Sequence, residues 1–282
     1  MKKVFLGIFL ALILIITSSP TYAAAIQIKI DGVAIASDVN PEIKNNRTMV
    51  PLRVISENLG AKVNWSDSQV TITKSNMQVI LKLNSNTVVK NGQTALFDVR
   101  PYIKNNRTFV PIRFLAETFG CNVNYKNSTV TVDTKPLVID GVQVKALQSE
   151  YHMTMGGVVQ QIKGNGYNEA IYNIFVENKG SKVKTPANYS WQIHYVSPGD
   201  YYKNGQYDFL DQEGNSIKRF DIYSLVQSYS VETLPGHPEV LIYDATEDQW
   251  YLFSDTASQS IYQLIDTASK NGFLTVISNT VP

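Results

Sequence analysis

The phrase NNRTMVPLR at residues 45–53 returns as NNRTFVPIR at residues 105–113. A shift of sixty positions also aligns Gly32 with Gly92, Asp38 with Asp98 and Pro41 with Pro101, and 20 of the 42 positions in 31–72 are identical to their counterparts in 91–132. Such a duplication is first of all a repeated folding unit. In each copy apolar and polar residues alternate on both sides of Asp31-Gly32 or Asn91-Gly92, dipeptides that favour tight hairpin turns. The Asn-Asn pairs at 45–46 and 105–106 lie between apolar flanks, and Asn tolerates the left-handed backbone of a two-residue turn. Pro51 and Pro111 suit a first helical position, and Gly60 and Gly120 the position just past the end. Between them Leu52, Ile55 and Leu59, or Ile112, Leu115 and Phe119, form one apolar stripe. Residues 63–73 and 123–133 alternate again about a polar turn, so each copy is predicted to be two hairpins packed on one short helix.

Arg53 and Glu57, like Arg113 and Glu117, stand four apart on the predicted helices, the spacing of an exposed ion pair. An arginine here could instead tie the NNRT corner to the helix. Arg47 and Arg107 at the corners are read the same way, because no nucleophile, metal ligand or second carboxylate accompanies any of the four.

The two copies, NNRTMVPLRVISENLGAKVNWSDSQVTI and its counterpart, resemble the copper amine oxidase N-terminal-like domain over roughly residues 26 to 134. That resemblance implies a small antiparallel sheet wrapped around helix, used as a stalk, spacer or adhesion module in exported proteins of Gram-positive type, with no chemistry of its own. It does not extend to amine oxidation. The tyrosine contexts at 188–190 and 167–169 do not match a quinone precursor, and His152, His194 and His237 are widely separated.

Residues 1–25 begin with Lys2 and Lys3, continue through an uncharged run from Val4 to Ile16 and end in small residues around Ala23 and Ala25. This is the order of a cleaved secretory signal, and thirteen residues fall short of the roughly 20 that span a bilayer. The expected protein is therefore secreted, released outside the cell or held non-covalently at the cell wall. Without the two lysines, 23 basic side chains face 24 acidic ones, which gives no electrostatic footprint for nucleic acid. Cys121, the lone cysteine, replaces Ala61 of the first copy and is expected to be a small buried residue.

The sixty-residue period stops near Lys135, and 13 of the 16 tyrosines lie at or beyond Tyr151, so residues 136–282 are expected to be a second domain. Strand patterns are read at 142–153, 169–180, 189–200 and 205–217, helical spacing at 220–230 and 257–272, a hairpin about residues 246–248 and a last strand at 273–278. The fold class is α+β and mostly antiparallel. Gly164-Asn165-Gly166 reads as a polar turn and not a phosphate loop, Asp200, Asp208, Asp211 and Glu213 as solvated turns, and Asp244, Glu247 and Asp248 as a charged hairpin tip. No catalytic, cofactor-binding or metal-binding residue is assigned. The candidate ligand-binding residues are Tyr201, Tyr202 and Tyr207, read as lying in a loop, with Trp191 just before it; their rings either stack on a sugar or protein face or fill a small core. The expected function is a non-catalytic exported protein whose stalk presents a C-terminal binding domain to cell wall, polysaccharide or an envelope protein. The alternative is a wall-polymer hydrolase with the stalk as spacer.

Overall fold

The computed structural model describes residues 26–66, 68–96, 98–227 and 237–282; the expected signal segment lies outside them. The fold is α+β, as the patterning predicts. Each copy places a seven-residue helix, Leu52–Asn58 or Ile112–Thr118, after its NNRT hairpin. Both asparagines of each corner take positive φ, near 49° and 59°, the conformation that lets a two-residue turn follow the strand twist. Pro51 and Pro111 stand one position earlier than predicted, as the extended residue before the helix. Leu52, Ile55, Leu59, Ile112 and Leu115 are buried, as the stripe requires.

The two copies do not fold side by side. The first strand, Gln27–Ile30, pairs in parallel with the last strand of the duplication, Thr129–Asp133, through Ile28↔Val130 and Ile30↔Val132. In the first copy the equivalent strand of the second, Thr87–Lys90, joins Gln69–Lys74 through an inserted strand, Met77–Lys82. Each closing hairpin therefore receives its outer strands from the other copy. A third sheet sits at the centre, where Arg47–Pro51 and Arg107–Pro111 pair antiparallel with Val50 opposite Val110.

The corner arginines complete this exchange. Arg47 Nη2 lies 2.5 Å from Asp98, and Arg107 Nη2 lies 2.5 Å from Asp38, so each corner is tied to the other copy and not to its own helix. Glu42 accepts from Tyr102 at 2.5 Å and pairs with Lys104, again across the copies. The helix arginines form the predicted i,i+4 pairs, Arg53 with Glu57 at 3.6 Å and Arg113 with Glu117 at 3.9 Å.

Beyond an Asp140-Gly141 hairpin, a nine-stranded sheet runs in the order Lys182–Val183, Gln249–Phe253, Val240–Asp244, Ser216–Leu225, Tyr201–Leu210, Ala146–Met153, Gly156–Ile162, Leu274–Asn279, with Tyr189–Ser190 alongside Tyr201–Leu210. Helices Asn165–Glu177 and Asp255–Lys270 cover one face. Phe175 stacks on Phe220 at 4.6 Å, and Tyr172 meets Phe209 edge-on at 5.3 Å. Three elements differ from their sequence reading. Residues 189–200 were expected as strand, but only Tyr189–Ser190 pairs as strand and Ile193–Tyr195 is a 3-10 turn. Residues 169–180 were expected as strand but belong to the helix Asn165–Glu177, whose buried Tyr167, Ile171 and Phe175 recur every four residues. The helical spacing at 220–230 is strand as far as Leu225, because its apolar residues fill both faces of a covered sheet; residues 228–230 lie outside those described.

Among the described residues no strand pairing joins the duplicated unit to this sheet, yet one buried cluster runs through both, from Ile30 and Leu59 to Tyr167, Phe175 and Phe273. The seam is polar and specific. Asp31 accepts from Thr134 N at 2.9 Å, from Thr134 Oγ1 at 2.7 Å and from Asn165 N at 3.1 Å. Its carboxylate therefore occupies the N-terminus of helix Asn165–Glu177, where backbone N–H groups are otherwise unpaired and the helix dipole favours negative charge. Gly164-Asn165-Gly166 does join a strand to a helix, contrary to the polar-turn reading, but the protein's own anion fills that position. Gly60, at φ 81°, lies so close to Gly166 that a Cβ there would sit 2.5 Å from the Gly166 oxygen. Tyr167 donates to Asn58 Oδ1 at 2.8 Å and accepts from Asn271 at 3.0 Å.

Two predictions follow from these contacts. Residues 26–76 and 77–135 prepared separately each lack a strand partner, so neither should show a cooperative melt, whereas residues 26–135 should; two fragments that each melt cooperatively would contradict the exchange. Burial pushes the Tyr167 phenol up to about 12 from a usual 10, so the neutral form belongs to the fold. Its contribution is complete below about pH 10 and is lost as pH rises through about 12. Tyr167→Phe should lower stability by roughly 1–3 kcal/mol at pH 8 by stranding Asn58, and denaturant titrations should show the gap closing at alkaline pH. A gap independent of pH would contradict this role.

Candidate functional site

The candidate tyrosines do not form a loop. They belong to the ten-residue strand Tyr201–Leu210, which has register shifts at Lys203/Gly205 and Phe209/Leu210. Aromatic residues suit a half-covered pleated surface, and here they cover both sides of one. Tyr201 is buried on the face away from the helices among Tyr223, Leu225, Leu241 and Trp250, and donates to Pro238 O at 2.8 Å. Tyr202 is half-buried and donates to His152 O at 2.8 Å. Tyr207 is 2% exposed and packs on Phe175 on the helix face. The loop reading is thus corrected: rings on alternate faces of a strand cannot make one stacking platform.

Trp191 is half-buried, lying 4.2 Å from the His152 ring with Lys203 Nζ 4.1 Å from its own ring centre. Beneath it is a buried ionic network. Lys203, 3% exposed at its side chain, pairs with Asp221 at 2.7 Å, and Arg219 grips the same carboxylate with two bonds of 2.9 and 2.8 Å. Lys203 also donates to Gln206, which donates to Asp208 at 2.7 Å. Burial pulls the Lys203 ammonium down from its usual range, and Asp221 opposes that shift. The partners close on one another, so the network orders the open sheet face.

On the helix face, Tyr207 forms part of the wall of a cavity of about 410 Å³ between the strands and helix Asp255–Lys270. Tyr151, Tyr262, Ile265 and Leu274 supply apolar wall, with Gln160 and Asn204 as polar groups. Asn204 donates to Ser224 Oγ at 2.9 Å, while its Oδ1 is buried without a protein partner. A buried carbonyl oxygen normally has a donor, so this one stands out beside the cavity. Glu150 and Asp266 also reach the cavity, but Glu150 is 2.8 Å from His152 and Asp266 pairs with Lys270 at 2.5 Å. The volume and mixed lining suit one sugar-sized or side-chain-sized group. Five elements from three parts of the sequence build this cavity, and its only signal in the chain was the tyrosine enrichment.

Other candidates resolve into structure. Asp208 is buried and accepts from Ser216 at 2.7 Å, and Asp244 is fully buried between Lys179 and Lys218, each at 2.7 Å, so neither is a solvated turn or tip. Asp211 accepts from the backbone N–H groups of Glu213 and Asn215, within its own turn. Cys121 is buried, and burial pushes its thiol up to about 11. Among the described residues no group of three His, Cys, Asp or Glu side chains could hold a metal ion, and no helix is long and apolar enough to cross a membrane.

The exchanged hairpins, paired helices and NNRT corners occupy the segment that one protein family matches, residues 29–134. The family is described as the copper amine oxidase N-terminal domain. A Brevibacillus choshinensis protein described as "Protease inhibitor" is 26% identical over 139 residues, which amount to 49% of this chain and 41% of that protein. The alignment thus spans less than half of that relative's length. No solved structure matches the chain.

Proposed function

We propose that this chain is a non-catalytic exported protein of the cell envelope, in which the copper amine oxidase N-terminal domain holds out a C-terminal binding unit, residues 136–282. The target is a cell-wall polymer, a polysaccharide or an envelope protein. The observation that supports this reading best is the cavity beside Tyr207, whose apolar wall also carries the polar side chains of Gln160 and Asn204. Export rests on the order of residues 1–25, basic, apolar, then small. The Brevibacillus relative's name adds a protease to the protein partners that this reading admits.

The hydrolase reading keeps one observation in its favour, the two carboxylates of Glu150 and Asp266 at the same cavity. A glycoside hydrolase uses such a pair as acid and base or nucleophile. One experiment separates the two. Isolated wall material should retain the wild-type chain, and a folded Asn204→Ala/Tyr262→Ala variant should bind about tenfold less tightly, with no release of reducing sugar by either. Undiminished retention by that variant would remove the cavity as the site, and sugar release abolished by Glu150→Gln would establish the enzyme.

A further inference from the structure

The NNRT corners and exchanged strands create a second kind of surface. Between helix Leu52–Asn58 of one copy and the corner of the other lies an open cleft of about 810 Å³. Trp65, on strand Lys62–Ser66, is 43% exposed beside it, and Ile103 from the opposite copy is 55% exposed. Thr108 is 7% exposed, and its Oγ1 has no protein partner. Two opposed ion pairs stand at the rim, Arg53 with Glu57 at 3.6 Å and Arg107 with Asp38 at 2.5 Å. Sixty positions away the duplication builds a smaller cleft of about 300 Å³, with Tyr125 50% exposed in place of Trp65 and Ile43 60% exposed in place of Ile103.

We infer that the copper amine oxidase N-terminal domain is itself a glycan-binding module, with a main cleft at Trp65 and Thr108 and a pseudo-equivalent one at Tyr125. An aromatic face left uncovered beside an exposed Ile offers a flat apolar platform. The rim pairs each set a carboxylate beside a guanidinium, so the occupant must both donate and accept hydrogen bonds. A phosphate-bearing ligand would meet Asp38 and Glu57, and a purely apolar one would cover the charged rim without hydrogen-bonding to it. A pyranose ring has an apolar face edged by hydroxyls that donate and accept, which satisfies every one of these groups. An exposed aromatic and an exposed Ile stand at both clefts. Each cleft takes its helix from one copy and its corner from the other, so both exist only in the exchanged fold.

Affinity gel electrophoresis of the full described chain, residues 26–282, through gels containing glycol chitin, soluble starch or a soluble mixed-linkage β-glucan tests this. Retardation is expected in at least one gel, weakened about tenfold or more by Trp65→Ala, less by Tyr125→Ala, and abolished by the double variant at unchanged melting temperature. Trp65→Phe should restore part of the loss and control for any misfolding of the alanine variant. The inference is overturned by absence of retardation in all three gels, by equal retardation of the folded double variant, or by retardation that Asn204→Ala removes and the double variant keeps, which would place glycan binding in the C-terminal cavity.

Discussion

The parallel pairing of Gln27–Ile30 with Thr129–Asp133 is the contact on which most of the architecture depends. It closes the duplication by giving the second copy's last hairpin its missing neighbour, and it carries Asp31 to the edge of the unit. There the Asp31 carboxylate binds Thr134 and the first N–H of helix Asn165–Glu177, whose own N-cap, Gly164, supplies no side-chain acceptor. One strand thus joins the ends of the repeat and docks the repeat onto the sheet beyond it. The second copy's equivalent residue, Asn91, accepts instead from Gln78 N at 2.7 Å, so the symmetry of the pair is broken where the next unit attaches.

Around that contact the packing is asymmetric in the same sense. A Cβ on Gly60 would collide with the Gly166 backbone, while one on its counterpart Gly120 would meet only the end of the Lys135 side chain, at 3.9 Å. Lys74 reaches Glu169 at 2.9 Å on the same side. Buried charge elsewhere is paired: Asp221 holds Lys203 and Arg219, and Asp244 holds Lys179 and Lys218. Such pairs contribute modestly to net stability, but removing one partner strands the other in a low dielectric, which makes the arrangement specific. Among the described residues five buried side-chain atoms lack a partner, on Ser56, Thr108, Asn168 and Asn204, and of these residues Thr108 and Asn204 border cavities.

Much of the duplicated unit could be read from the chain. The Asn pairs, the Asp-Gly and Asn-Gly turns and the Pro-to-Gly spacing are local rules, and each copy obeys them. The exchange between copies was hidden, because equivalent strands can pair within or between repeats and no local signal decides which. Helix Asn165–Glu177 was hidden because a reading begun at Glu169 omits Tyr167, the first member of its buried stripe. Gly199, Asn204 and Gly205 around Tyr201 and Tyr207 are turn-forming residue types, which makes this stretch look like a loop in the sequence. In the fold Gly205 lies within a ten-residue strand, in a register shift that brings its neighbours onto new faces. The cavity's walls come from elements far apart in sequence, so only the tertiary fold brings Asn204 and Tyr262 together.

The central claim is that Asp31 makes one cooperative body of two units. Differential scanning calorimetry of residues 26–282 and of an Asp31→Ala variant tests it most directly. The account predicts a single wild-type transition whose calorimetric and van't Hoff enthalpies agree, and a variant that melts earlier and in two steps. A wild-type chain that already melts in two independent steps, or a variant whose single transition is unchanged, would contradict it.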